Sequence, residues 1–142
     1  MMQSVRRPTP RSQRRVALVL VVDDHEDTRE LHAECLHAAG FRTHTACDGE
    51  EAVAEAHAYM PDLIVMDLDM PRLDGLGATR ALKADPATCQ IVIVVVTGRP
   101  LPDGGRLAYE AGCDGFLTKP ISSEALGAAV KAALAARPVG AR

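Results

Sequence analysis

Five side chains in this sequence become chemically interesting if a fold gathers them: Asp23, Asp24, Asp67, Thr97 and Lys119. Taken singly, each has an ordinary explanation: a terminal Asp caps a helix, Thr ends a strand, and a lysine points into solvent. Together they matter more, because each stands directly after an apolar, β-rich run, at 16–22, 63–66, 91–96 and 115–118. Unit charges about 4 Å apart repel by roughly 4 kcal/mol at an effective dielectric near 20, so three clustered carboxylates call for a cation. Oxygen ligands without Cys or His favour Mg²⁺, a hard ion that keeps several waters and commonly holds phosphate oxygens in its open positions. A phosphoryl group is then the natural substrate. Asp67 is placed to be the nucleophile, since a carboxylate can attack phosphorus to form an aspartyl phosphate. Lys119 would offset charge on the phosphoryl oxygens, and the Thr97 hydroxyl can donate a hydrogen bond to them.

The elements that must position these groups are legible. The runs 16–22, 63–66 and 91–96 read as central parallel strands, and 41–46 and 115–118 as two weaker ones. Between consecutive candidates lie 18, 16, 24 and 18 residues, long enough for a parallel crossover and far too long for a hairpin. Helical signals fill the gaps. Residues 27–39 open on an Asp27-x-x-Glu30 capping box and close on Gly40, while 50–59, 76–84 and 122–136 stop before Pro61, Pro86 and Pro138. In the last of these, Leu126, Val130, Ala133 and Leu134 recur at the helical period and form one core stripe. The fourth crossover carries Pro100, Pro102, Gly104 and Gly105, leaves room only for a short helix over 106–111, and is expected to be the mobile part. Five βα repeats predict a doubly wound α/β domain, in which residues just past the strands' carboxyl ends meet along one edge where ligands bind.

Composition sets the outer limits. The chain has 142 residues, 47% of them apolar and 25% charged, which suits one globular domain with a real core. No apolar run approaches the roughly 20 residues that span a bilayer, and Asp23 and Asp24 interrupt the first one before it can serve as a signal sequence. Cys35, Cys47, Cys89 and Cys113 contain no Cys-x-x-Cys pair, which points to reduced thiols and a cytoplasmic location. All 19 acidic residues fall between Asp23 and Glu124, and ten basic residues within 16–137 leave that stretch at −9. Residues 1–15 hold five arginines in a Pro- and Ser-containing segment and read as a flexible basic extension, with 138–142 as a short C-terminal tail. With two Tyr, two Phe and no Trp, the body lacks the stacking residues of a nucleic-acid platform, so neither nucleic acid nor membrane is an expected partner. The five histidines, among them a pair five apart at His32 and His37, read as ordinary surface or partly buried residues, and Met66 and Met70 as packing.

The strings ValValAspAsp at 21–24, IleValMetAspLeuAspMetPro at 64–71 followed by Asp74-Gly75, ValThrGly at 96–98, and AlaGlyCysAspGlyPheLeuThrLysPro at 111–120 resemble the receiver domains of two-component response regulators. The resemblance covers about residues 16–136. It implies a flavodoxin-like five-stranded parallel sheet of order 2-1-3-4-5 with five helices. It implies a phosphoacceptor at Asp67, and Mg²⁺ held by Asp24, Asp67 and the backbone carbonyl of Asp69, with Asp23 acting partly through water. The donor would be a histidine kinase or a histidine phosphotransfer protein. Thr97 would move toward the phosphoryl group, and Phe116, three residues before Lys119, would turn inward behind it. The output surface would be the fourth helix, fifth strand and fifth helix, although the prolines and glycines before the fourth helix depart from the usual alanine-rich entry. Asp69 and Gly98 are the positions expected to govern water attack on the acyl phosphate.

Only six residues follow Ala136, so the expectation is a stand-alone receiver, monomeric or weakly dimeric, that catalyses no reaction but its own phosphorylation and dephosphorylation. A rival reading takes Asp67-Leu-Asp69 as the nucleophile and acid pair of a haloacid-dehalogenase-type phosphatase. Those enzymes place the motif on a first strand and need more chain. A second rival is a phosphorylation-independent interaction module, which the presence of all five site positions disfavours.

Overall fold

The computed structural model describes residues 16–70, 74–98 and 105–137. The expectations for the extension 1–15, the segment before the fourth helix and the tail 138–142 therefore lie outside the described residues. In chain order the elements are β1 (Leu18–Val22), α1 (Glu26–Ala38), β2 (Arg42–Ala46), α2 (Gly49–Tyr59), β3 (Leu63–Asp67), α3 (Gly75–Ala84), β4 (Val92–Thr97), α4 (Arg106–Glu110), β5 (Gly115–Thr118) and α5 (Ser123–Ala135). The strands form one sheet, parallel as the spacing required and in the order β2-β1-β3-β4-β5 that the resemblance implied.

The central strands are apolar throughout because both faces of the sheet are covered. Leu20, Val22, Ile64, Met66, Ile93 and Val95 point to one side, where α2 contributes Ala52 and Ala56, α3 Ala78 and Leu82, and α4 Ala108. Val19, Val21, Leu63, Val65, Val92, Val94 and Val96 point to the other, against Leu36 of α1 and Leu126 and Val130 of α5. Each fully buried aliphatic side chain contributes about 1.5–3 kcal/mol, so the two layers fix the register of β1, β3 and β4 firmly.

Boundaries differ from the sequence expectation where a local hydrogen bond intervenes. β1 begins at Leu18, not Val16, because pairing starts at Leu18 with Arg42 and Val16 is half exposed. β4 begins at Val92, since the Ile91 N–H turns back to the Thr88 carbonyl. The capping box expected at Asp27 and Glu30 is not the start of α1. His25 is the N-cap, and the Asp23 Oδ1 accepts the His25 N–H at 2.9 Å, so the chain turns helical two residues earlier. Glu26 and Asp27 instead lie in the first turn, where negative charge suits the helix dipole. The other end of α1 behaves as Gly40 suggested: at φ +105° it donates to the His37 carbonyl while Phe41 donates to that of Leu36, a Schellman closure. Asp48, Asp74 and Ser122 cap α2, α3 and α5 with side-chain acceptors for Glu51, Gly77 and Ala125, so α5 starts at Ser123, one residue later than expected. α4 has five residues, ending one short of the expected helix.

Candidate functional site

The loops after β1, β3, β4 and β5 lie side by side because their strands are parallel and adjacent. Asp67 ends β3 in register with Val96 of β4, and Thr97 ends β4 in register with Thr118 of β5. Asp23 follows β1 directly, and its N–H is held by the Ala46 carbonyl at the end of β2. The Lys119 N–H donates to the Thr97 carbonyl at 2.8 Å, which sets the root of the lysine at the same edge.

The side chains converge. Lys119 Nζ donates to Asp23 Oδ2 at 2.9 Å and stands 4.0 Å from Asp67 Oδ2. The Asp67 Oδ1 accepts the Asp69 N–H at 3.2 Å. Asp23, Asp24, His25 and Asp67 each bring one potential ligand atom to within 4.8 Å of the others. Asp23 and Asp67 are buried, and burial pushes the Asp67 carboxyl up to about 6. The Asp69 N–H works against that rise, Asp23 and Asp24 reinforce it, and Lys119 is too far from Asp67 to cancel it. His32 on α1 is also buried near this group, and burial together with the Lys119 charge lowers its pKa, so it adds no second cation.

A divalent cation fits these residues. Among the described residues the Asp24 Oδ1 is buried yet accepts no hydrogen bond, and the carboxylates of Asp23, Asp24 and Asp67 share one small volume with Lys119 between two of them. Buried oxygens without a partner cost free energy that a metal ion removes.

Of the residues singled out from the sequence, Asp23, Asp24, Asp67 and Lys119 come together directly. Asp69 joins through its N–H, Thr97 through its carbonyl, and exposed Gly98 flanks the lysine, with Lys119 Cδ 4.0 Å from where a Cβ would stand. Phe116 is set apart. Its half-buried ring packs on the α3 and α4 side of the sheet, against Gly105 and edge-on to Tyr109 at 6.4 Å between ring centres. Two residues matter more here than the sequence reading allowed: His25, taken there as an ordinary histidine, and Gly75, quoted there only within a motif. His25 faces the carboxylates, and only its place directly after Asp23-Asp24 could have signalled it. Gly75 lies so close to β3 that a Cβ there would come 2.2 Å from the Asp67 carbonyl oxygen, and its N–H donates to Leu68. This is why a glycine follows Asp74 at the start of α3.

A doubly wound sheet of this strand order, with carboxylates and one lysine meeting beyond β1, β3 and β5, defines a flavodoxin-like domain with an acidic cluster at its carboxyl edge. Within that class the chain belongs to the response regulator receiver domains of two-component systems, whose family pattern it matches over residues 19–131. It is 40% identical over 119 residues to the transcriptional regulatory protein PrrA of Mycobacterium tuberculosis, an alignment covering 84% of this chain and 50% of that protein. It is 33% identical over 104 residues to the polar-differentiation response regulator DivK of Brucella anthropi, covering 73% of this chain and 85% of the relative. The solved structure of the Vibrio cholerae chemotaxis protein CheY4 superposes with a TM-score of 0.80 at 29% identity, covering 84% of this chain and 99% of that one. The chain spans about half the length of the first curated relatives it matches. Among the described residues, no helix is long and apolar enough to cross a membrane.

Proposed function

We propose that this receiver takes a phosphoryl group onto Asp67 from the phosphohistidine of a histidine kinase or histidine phosphotransfer protein, with Mg²⁺, and thereby switches its protein contacts. The observation that carries the reading is the buried Asp67 carboxylate beside Asp23 and Asp24, with Lys119 bonded to Asp23 and 4.0 Å from Asp67. Mg²⁺ would be held by Asp24, Asp67 and the Asp69 carbonyl, with Asp23 through water, and when bound it supplies positive charge to the phosphoryl oxygens. In the transfer an Asp67 oxygen forms the O–P bond, the P–N bond to the donor imidazole breaks, and that imidazole nitrogen takes a proton. Lys119 is the chain's own cation at the site, and the charge it shares with Asp23 becomes available to the incoming oxygens. Thr97 supplies a hydroxyl donor at the end of β4.

The surface built by α4, β5 and α5 is the proposed contact for a downstream target. Leu107 and Tyr109 are exposed on α4, and Tyr109 packs edge to face with Phe116, which ties this surface to the strand that runs into Lys119. The chain would act on itself alone, as phosphoacceptor and as the source of its own dephosphorylation, and work as a monomer or weak homodimer. Four free cysteines support a reducing, cytoplasmic setting.

The test is incubation with acetyl phosphate and Mg²⁺ followed by intact mass measurement. A stable increment of one phosphoryl group, lost in Asp67→Asn, supports the reading. Continuous turnover without an adduct would favour a phosphatase, and no reaction a pure interaction module.

A further inference from the structure

Imidazole is foreign to a hard, oxygen-only cation site, yet the structure brings one to this pocket. The His25 Nδ1 lies 3.2 Å from Asp24 Oδ1 and 3.6 Å from Asp23 Oδ1, and belongs to the same set of ligand atoms as Asp67. The ring is not used for helix capping: His25 is the N-cap of α1 but makes no side-chain cap bond. Its backbone is held in place, because its N–H donates to Asp23 and its carbonyl accepts the Arg29 N–H. Although Nδ1 is so near, the Asp24 Oδ1 accepts no hydrogen bond from any described residue. Two ligands on neighbouring vertices of an octahedral ion, each about 2.1 Å from the metal, stand about 3 Å apart. The observed 3.2 Å is close to that separation.

We infer that His25 is a fourth protein ligand of the carboxyl-edge site and gives it a preference for borderline divalent ions such as Co²⁺ over Mg²⁺. The inference rests on the proposed cation site at Asp24 and Asp67. Carboxylates alone discriminate weakly among divalent ions beyond their charge and size, whereas imidazole binds late first-row ions well and Mg²⁺ poorly. The neutral ring would offer Nδ1 to the metal and leave Nε2–H toward solvent, which the high exposure of His25 allows. The same exposure makes the ligand optional: with Mg²⁺ the ring can swing aside and water can take its place.

Calorimetric titration of the untagged full chain with MgCl₂ and with CoCl₂ tests this, in wild type, His25→Ala and Asp24→Ala. The expected result is that His25→Ala lowers Co²⁺ affinity at least tenfold and changes Mg²⁺ affinity less than threefold. The visible absorption of the Co²⁺-loaded chain should change in the same variant, a signature that a merely structural role for His25 would not produce. An unchanged ratio of Co²⁺ to Mg²⁺ affinity in His25→Ala overturns the inference while leaving the cation site standing. If Asp24→Ala binds both metals as wild type does, the underlying site is wrong and the inference falls with it. Co²⁺ taken up at His37, His44 or His57 would survive Asp24→Ala and is recognised that way.

Discussion

Lys119 is committed to Asp23 rather than to Asp67: its ammonium is 2.9 Å from a carboxylate oxygen of the former and 4.0 Å from the latter. The buried Asp23 is therefore neutralised within the protein, while Asp67 keeps the cost of its burial. This division separates the two acids by role, one anchoring the lysine and the other kept basic enough to share or yield a proton near pH 6.

Removing the lysine exposes that division. In Lys119→Met the buried Asp23 loses its charged donor, and the metal-free fold should weaken by about 1–3 kcal/mol, the range for an orphaned buried acceptor. Mg²⁺ should bind the variant more tightly than wild type, because a competing cation has gone. Urea denaturation in EDTA and calorimetric titration measure the two effects. Reduced stability with reduced Mg²⁺ affinity would show that Lys119 organises the carboxylates instead of competing for them.

The raised pKa of Asp67 has a definite sign in stability. The folded chain holds the Asp67 proton up to about pH 6, whereas an ordinary Asp gives it up near 3.8. Between those values the folded state binds more protons than the unfolded one, so this group stabilises the fold below about pH 4 and loses that contribution as pH rises to about 6. In EDTA, Asp67→Asn should accordingly gain about 1–3 kcal/mol over wild type at pH 7.5 and about a third of that at pH 4.5. Denaturant midpoints at the two pH values decide it, and an equal difference at both would mean that the variant acts through packing.

How much of this was readable in advance depended on whether a feature is local in sequence. Four strand ends, and with them Asp23, Asp24, Asp67, Thr97 and Lys119, were legible because buried parallel strands must be continuously apolar and a polar residue at their ends stands out. The start of α1 was not, because it is set by the Asp23 side chain, a residue outside the helix, and not by the better-looking box at Asp27 and Glu30. His25 was read as an ordinary histidine because no helical spacing says that a residue directly after two aspartates turns its ring back onto them. Gly75 reads as one more turn residue until the Asp67 carbonyl is found against it.

That contact makes Gly75 a sensitive point. An added Cβ would meet backbone, 2.2 Å from the Asp67 oxygen and 2.7 Å from Leu68 Cα, so no side chain can move to accommodate it. Gly75→Ala should destabilise by about 1–3 kcal/mol or more, as overpacking does. Because the strain falls on the residue proposed to accept the phosphoryl group, adduct formation should slow even where the protein remains folded. Thermal melting and single-turnover phosphorylation by acetyl phosphate test the pair of effects. Normal kinetics in a destabilised variant would show that the loop relaxes away from Asp67.

The lifetime of the adduct should be set by Asp69 and Gly98. Asp69 is two residues past the proposed acceptor, and its backbone N–H bonds the Asp67 carboxylate, so an acidic side chain at this position would be near a phosphoryl group on Asp67 and able to orient a water for in-line attack. Gly98 is exposed, and among the described residues a Cβ added there meets nothing nearer than Lys119 Cδ at 4.0 Å, which leaves room for a larger side chain. The opposing effect is repulsion, since a second carboxylate near the phosphoryl group also holds off hydroxide. If neutral water is the attacker, Asp69→Ala and Gly98→Leu should each lengthen the adduct's half-life about three- to tenfold, the first by removing the orienting group and the second by covering the path. Decay of the phosphorylated mass after removal of the donor measures it. A shorter lifetime in Asp69→Ala would mean that repulsion of hydroxide dominates, and an unchanged one in both variants would place the controlling groups elsewhere around Asp67.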